Sequence, residues 1–322
     1  MKRLVFLPDT YSFLLAGTVV LASFFPASGL FAVVLKHVTT LAIGLLFFLH
    51  GAKLSRQAIM DGLTHWRLHA LVLCCTFVFF PFMGFVLRPV LLPLVNDELY
   101  LGVLYLCMLP ATVQSAVALT GIAGGNVPAA VCSASASTLL GIVITPFMVN
   151  ALITSTTGSM SMTGSMVNIF VQLMLPFVAG HLVRPYFEAA FRRAGKALSI
   201  IDRGSILLVV YSAFSAAVIN GIWHQVSSAM IWGLVAISFI FLLLSMCFVY
   251  QCALWLGFRR EDRITALFGG AQKSLASGVP MAQVLFTAPM AGFMVLPLMV
   301  FHLLQLLVSS VLAQRWRRKS SL

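Results

Sequence analysis

Apolar residues run along this chain in long blocks separated by short polar or basic breaks. Inside the blocks they alternate with polar residues at neither the strand period nor the period of a surface helix. A block of roughly 20 apolar residues matches the hydrocarbon thickness that one α-helix crosses, whereas barrel strands would alternate over about 10 residues. Residues 99–183 and 204–258 contain no Asp, Glu, Lys or Arg. Turn residues and charges divide the chain into ten spans, near 11–26, 29–51, 68–93, 99–121, 127–151, 165–187, 204–221, 228–256, 263–287 and 290–314. The pattern predicts an all-α integral membrane protein.

Composition makes lipid the solvent: of 322 residues, 61% are apolar and 9% are charged, more apolar surface than a soluble domain can hide. The net charge of +12 sits in short loops. When the ten spans are threaded back and forth, all of the 20 Lys and Arg except Lys36, Arg88 and Lys273 fall on one side. The positive-inside rule then places both termini in the cytoplasm and leaves no charge that calls for a nucleic-acid partner. Lys36 and Arg88 are near enough to span ends to snorkel. All eight acids, Asp202 among them, fall in loops or at span ends, so no carboxylate is expected at the membrane centre. The six cysteines lie in apolar spans without metal or disulfide spacing, and no metal site or cofactor is predicted. Lys2 and Arg3 before an apolar run could mark a signal peptide, but a retained first helix is expected because the repeat requires it.

Five spans precede the uncharged loop TSTTGSMSMTGS and five follow it. An odd number inverts the second half, giving a first repeat 1–153, an external linker 154–164 and an inverted second repeat 165–322. PATVQSAVAL (110–119) and GGAQKSLASG (269–278) echo each other at the fourth and ninth spans, and the Pro, Gly, Ser and Gln in both predict interrupted helices. Paired breaks of this kind place half-helix ends around substrate and ions in transporters; small residues also simply allow close packing.

The elements QKSLASGVPM (272–281), PATVQSAVALTGIAGGN (110–126) and LLGIVITP (139–146), with FFLHGAKLS (47–55) and LHALVLCCTFVFFP (68–81), resemble the bile acid:sodium symporter family. The match is closest to its solute carrier family ten, member-seven branch. The resemblance implies ten spans, with spans 3–5 and 8–10 as a core moving against a panel of the other four. It also implies symport of amphipathic organic anions. In the sodium-coupled branch, a glutamate on the ninth span and a following Gln-Asn pair help hold sodium. Here Gln272 matches the glutamine, Lys273 stands where the asparagine would be, and Phe268 falls near the glutamate position. Sodium dependence is therefore not carried over, and proton coupling stays open.

Lys273 is the single charge in residues 264–314, and an ionisable group in hydrocarbon marks a functional site by default. Its ammonium can replace a sodium ion or meet the anionic group of a substrate, with oxygens of Gln114, Ser115 and Gln272 as expected partners. Thr112, Gln114, Ser115, Gln272 and Ser274 at the breaks can bond a substrate or join neighbouring helices. Ser133 and Ser135 in CSASAST (132–138) occupy the region where sodium-coupled relatives place ligands. His302 on the tenth span is a candidate proton carrier. The expected function is secondary transport of a small organic anion by alternating access, in the cytoplasmic membrane of a bacterium. Two other classes stay open: a non-transporting regulator or sensor, and an intramembrane Ser–Lys hydrolase. Against the latter, Lys273 and Ser274 would point about 100° apart on a helix, and no G-x-S-x-G element occurs.

Overall fold

A computed structural model describes residues 10–53, 65–154 and 170–318. Among these residues the regular structure is all helical. The principal helices are α1 (Thr10–Phe24), α2 (Gly29–Lys53), α3 (Trp66–Val86), α4 (Asp97–Met108), α5 (Gln114–Ala123), α6 (Val127–Val149), α7 (Leu175–Arg193), α8 (Gly195–Ile219), α9 (Ser228–Trp255), α10 (Arg260–Gly270), α11 (Leu275–Leu285) and α12 (Ala288–Arg318). Six of the described helices are long and apolar enough to cross a membrane, and the chain is a multi-pass membrane protein. Lys2, Arg3 and most of the expected linker, residues 155–164, lie outside the described residues.

Local sequence explains the ends. Asn96, Asn126, Ser227 and Ser274 cap α4, α6, α9 and α11, each side-chain oxygen accepting an N–H from the first turn. Gly124 closes α5 in the left-handed conformation, φ 74°, which a side chain would strain. The breaks fall where the sequence places them. Leu109, ahead of Pro110, is extended at ψ 152°, and the second break follows the Gly269–Gly270 pair. The basic stretch that reads as a loop before the seventh span is instead helical: α7 continues to Arg193 and α8 starts at Gly195. Hydropathy marks the apolar part of a helix, and Ala, Arg and Lys extend it.

That extension corrects the placement of Asp202. It lies one-third of the way along α8 and is 3% exposed, on the same buried stripe as Ile206, Val209, Val210 and Ala213. The expectation that every acid sits in a loop or at a span end fails at this residue.

Helices α1, α2, α7 and α8 pack among themselves, and α8 also touches α11 and α12. The closest approach joins α2 to α7: a Cβ on Gly51 would collide with the Phe177 carbonyl, and one on Gly180 with the Phe48 carbonyl. The remaining helices form a second body in which α4 packs on α12, α10 on α5, and α3 on α10 and α6.

Candidate functional site

The two helix breaks cross and are bonded to each other, the Ser274 N–H donating to the Pro110 carbonyl at 2.9 Å. Backbone groups released by a break in an apolar interior need partners, and here most can be traced. Thr145 donates to the Met108 carbonyl at 2.7 Å, and the Ala111 N–H donates to Ser137 Oγ at 2.9 Å. One side chain serves both backbone groups of Lys273: the Lys273 N–H donates to Gln305 Oε1 at 2.8 Å, and Gln305 Nε2 donates to the Lys273 carbonyl at 3.0 Å. Tyr105 donates to the Gly278 carbonyl at 2.6 Å.

Lys273 itself is fully buried. Its Nζ donates to the carbonyls of Thr76, Cys107 and Leu109, each at 2.8 Å, and lies 4.2 Å from the centre of the Phe80 ring. Each acceptor is available for a local reason. In the π-turn Cys75–Phe79 the Phe80 N–H donates to Cys75, and Pro81 has no N–H, so the Thr76 carbonyl is left without a helical donor. Cys107 and Leu109 stand at the C-terminal end of α4, where carbonyls are orphaned and the helix dipole favours a cation. The ammonium thus caps α4 from the break between α10 and α11. The expected partners Gln114, Ser115 and Gln272 are not its hydrogen-bond acceptors; it reaches backbone oxygens because the breaks expose those first.

In front of the crossing is a cavity of about 310 Å³. Its core-side wall consists of the first turns of two half-helices, Val113, Gln114 and Ser115 of α5 and Ser274, Leu275, Ala276 and Ser277 of α11. Tyr11, His50, Asp202 and Arg203 of α1, α2 and α8 also line the cavity, as does His302 of α12. An adjoining cavity of about 200 Å³ shares His50, Val113, Gln114, Thr138 and Asp202 and adds Ser135.

Of the residues singled out in the sequence, Thr112, Gln114, Ser115, Ser274 and His302 line the main cavity and Ser135 the adjoining one. Gln272 and Lys273 lie behind the wall, Gln272 accepting from the Ser115 hydroxyl at 2.8 Å. Ser133 is fully buried, 2.6 Å from His69 Nδ1. Ser274 Oγ accepts from the Ser277 N–H, and Lys273 Nζ is turned to the three carbonyls, so the two do not form a Ser–Lys dyad. His302 Nδ1 is 3.0 Å from Gln305 Nε2; since the Gln305 oxygen already accepts from Lys273, this amide nitrogen donates, and His302 is held neutral with its proton on Nε2. His50, Asp202, Arg203 and Gln305 were not singled out. The i, i+4 and i+7 spacing of Asp202 with Ile206 and Val209 could have found the acid, and the i, i+3 pair His302 and Gln305 the glutamine.

The model of the SBF-like CPA transporter family matches residues 9–318. The chain is 54% identical to "Uncharacterized protein PA2026" of Pseudomonas aeruginosa, over 99% of this chain and 96% of that one. It is 50% identical to "Putative symporter YfeH" of Escherichia coli K12, over 97% and 94%. Against "Sodium/bile acid cotransporter 7" of Xenopus tropicalis the identity is 29%, over 85% and 81%.

Proposed function

Because this chain belongs to the SBF-like CPA transporter family, we propose that it is a secondary transporter moving a small organic anion across a bacterial cytoplasmic membrane by alternating access. The carrying observation is that the main cavity is lined by the first turns of both half-helices at the crossing. Helix N-termini present N–H groups and a positive dipole end to an anion. The α5 turn is the more open of the two, because its N-cap Val113 has no side-chain oxygen to occupy those groups. Gln114 and Thr112 add neutral donors, and the apolar lining from Leu119, Ile206 and Leu306 suits an amphipathic molecule.

The ten spans form two inverted repeats, 1–153 and 165–322, with the linker 154–164 outside and both termini in the cytoplasm. The matched position of the two breaks and their mutual hydrogen bond support this arrangement. Helices α1, α2, α7 and α8 form the panel against which the remaining helices move. Lys273 acts as a built-in cation that holds the crossing together, with oxygens arranged around it as around a monovalent ion.

Bile acids, named for the Xenopus relative, are the first probes. Purified protein is heated with a panel of organic anions that includes taurocholate, since a ligand that binds only the folded state raises the melting temperature. Anions that stabilise the protein are then followed into proteoliposomes. Stabilisation without uptake would instead describe a receptor or sensor.

A further inference from the structure

We propose that the groove between α9 and α12 binds one phospholipid of net negative charge, with an acyl chain along the groove and the phosphate at Arg315. The site is separate from the main cavity and does not depend on what that cavity carries.

The groove has a volume of about 650 Å³. Phe239, Leu243 and Tyr250 of α9 and Leu307 of α12 line it and are exposed, while Leu267 of α10, also in the lining, is buried and closes it from beneath. Phe239 and Tyr250 stand about three turns apart, roughly 16 Å along the helix. That is about half of the roughly 30 Å hydrocarbon layer, so the groove follows one leaflet. A convex helix face meets lipids that exchange freely. A groove walled by three helices holds a chain on several sides at once, and the small dispersion contacts add up.

The two ends of the groove differ. Around Phe239 and Leu307 the lining is apolar, whereas the other end carries Tyr250, Arg315 and Trp316. The Tyr250 and Trp316 rings are 6.1 Å apart, and amphipathic aromatic rings favour the level of the headgroups. Arg315 is exposed and, among the described residues, has no hydrogen bond or ion pair with the protein. Further cations gather at the same end. Arg260 donates to the Trp316 carbonyl at 3.1 Å, which brings the start of α10 and the neighbouring Arg259 to the end of α12, where Arg317 is also exposed. Against these stands the exposed Glu261; Asp262 is turned to Asn126, whose Nδ2 donates to it at 3.0 Å. The groove lining itself contains no acid. An excess of cations at one end of an apolar groove fits a phosphodiester, and the guanidinium fork meets phosphate oxygens in pairs. A zwitterionic headgroup brings its own cation to the same place and gains less.

The test washes purified protein free of lipid in a neutral detergent and adds dioleoyl phosphatidylglycerol or dioleoyl phosphatidylcholine, which share their chains and differ in charge. Native mass spectrometry counts the lipid bound, and melting curves read its effect. Wild type should retain one phosphatidylglycerol more tightly than phosphatidylcholine and melt later in its presence. Arg315→Gln should weaken phosphatidylglycerol binding by about fivefold, the effect of one basic residue beside anionic lipid, and leave phosphatidylcholine unchanged; Arg315→Lys should keep most of the preference. Val311→Trp, which puts a ring into the groove, should weaken both lipids. Arg315→Gln alters an exposed position and keeps the test valid where the tryptophan variant does not fold. Equal retention of the two lipids by wild type, or a preference that survives Arg315→Gln, overturns the proposal. So does a wild-type dimer that Val311→Trp separates, because a second copy of the chain would then cover the groove.

Discussion

Lys273 Nζ sits 2.8 Å from the carbonyl of Thr76, the acceptor that the π-turn and Pro81 together leave without a helical donor. The contact joins the break between α10 and α11 to α3 at the point where both depart from regular helix, and the Cys107 and Leu109 carbonyls complete the ring of oxygens. From sequence alone, Lys273→Met would be expected to spare folding, because a buried charge is expensive. The geometry reverses that expectation. Removing the ammonium leaves three buried carbonyls unsatisfied, at about 1–3 kcal/mol for each orphaned group. Lys273→Ala and Lys273→Met should both lower the melting temperature and abolish uptake. In Lys273→Ala the vacated volume is next to those oxygens, so added methylammonium should raise the melting temperature of the variant and leave wild type unchanged. Failure of methylammonium to discriminate between them would show that the socket collapses.

Gln305 holds both backbone groups of Lys273 with one amide. Replacing it with Leu leaves a buried N–H and a buried C=O, again at about 1–3 kcal/mol each. Gln305→Leu should melt earlier than wild type. Gln305→Glu should be still less stable, because a carboxylate can accept from the Lys273 N–H but cannot donate to its carbonyl. Melting curves of the two variants read this order directly.

How much of this was legible follows from what each feature is made of. Spans and breaks depend on runs of apolar residues and on Pro and Gly, which are local signals, so α4–α5 and α10–α11 could be placed from sequence. Lys273 stands out because it is one charge in an apolar run, but its partners are backbone carbonyls, which every residue has and no pattern announces. Asp202 was lost for a different reason. Charges beside an apolar run read as the end of a helix, whereas α8 carries Lys196, Asp202 and Arg203 in its first nine residues and turns the aspartate inward. Cavity walls drawn from α1, α2, α8 and α12 depend on long-range packing, which the linear pattern does not encode.

Topology offers a check that is independent of any substrate. Reporters fused before Lys2 and after Leu322 should both read cytoplasmic, and one inserted within 155–164 should read external. An external C-terminus would remove the inverted repeat and with it the equivalence of the two breaks.

Sodium is the remaining test, and the expected result is indifference. A second monovalent cation brought within about 4 Å of the Lys273 ammonium is opposed by about 4 kcal/mol at an effective dielectric of about 20, roughly a thousandfold in affinity. The oxygens best placed to pay for dehydrating such an ion are the carbonyls of Thr76, Cys107 and Leu109, and these already receive hydrogen bonds from Nζ. Exchanging sodium for potassium at constant ionic strength and pH should therefore leave anion binding and uptake unchanged within about twofold, a span worth under half a kcal/mol. A steep dependence on sodium would mean that the ion finds ligands away from the lysine, with Ser135 and Thr138 in the adjoining cavity as the first residues to replace. The same measurement repeated on Lys273→Asn separates the two explanations. If the ammonium occupies the place of an ion, that variant should gain a sodium response in its melting temperature; if sodium binds elsewhere, wild type and variant should respond alike.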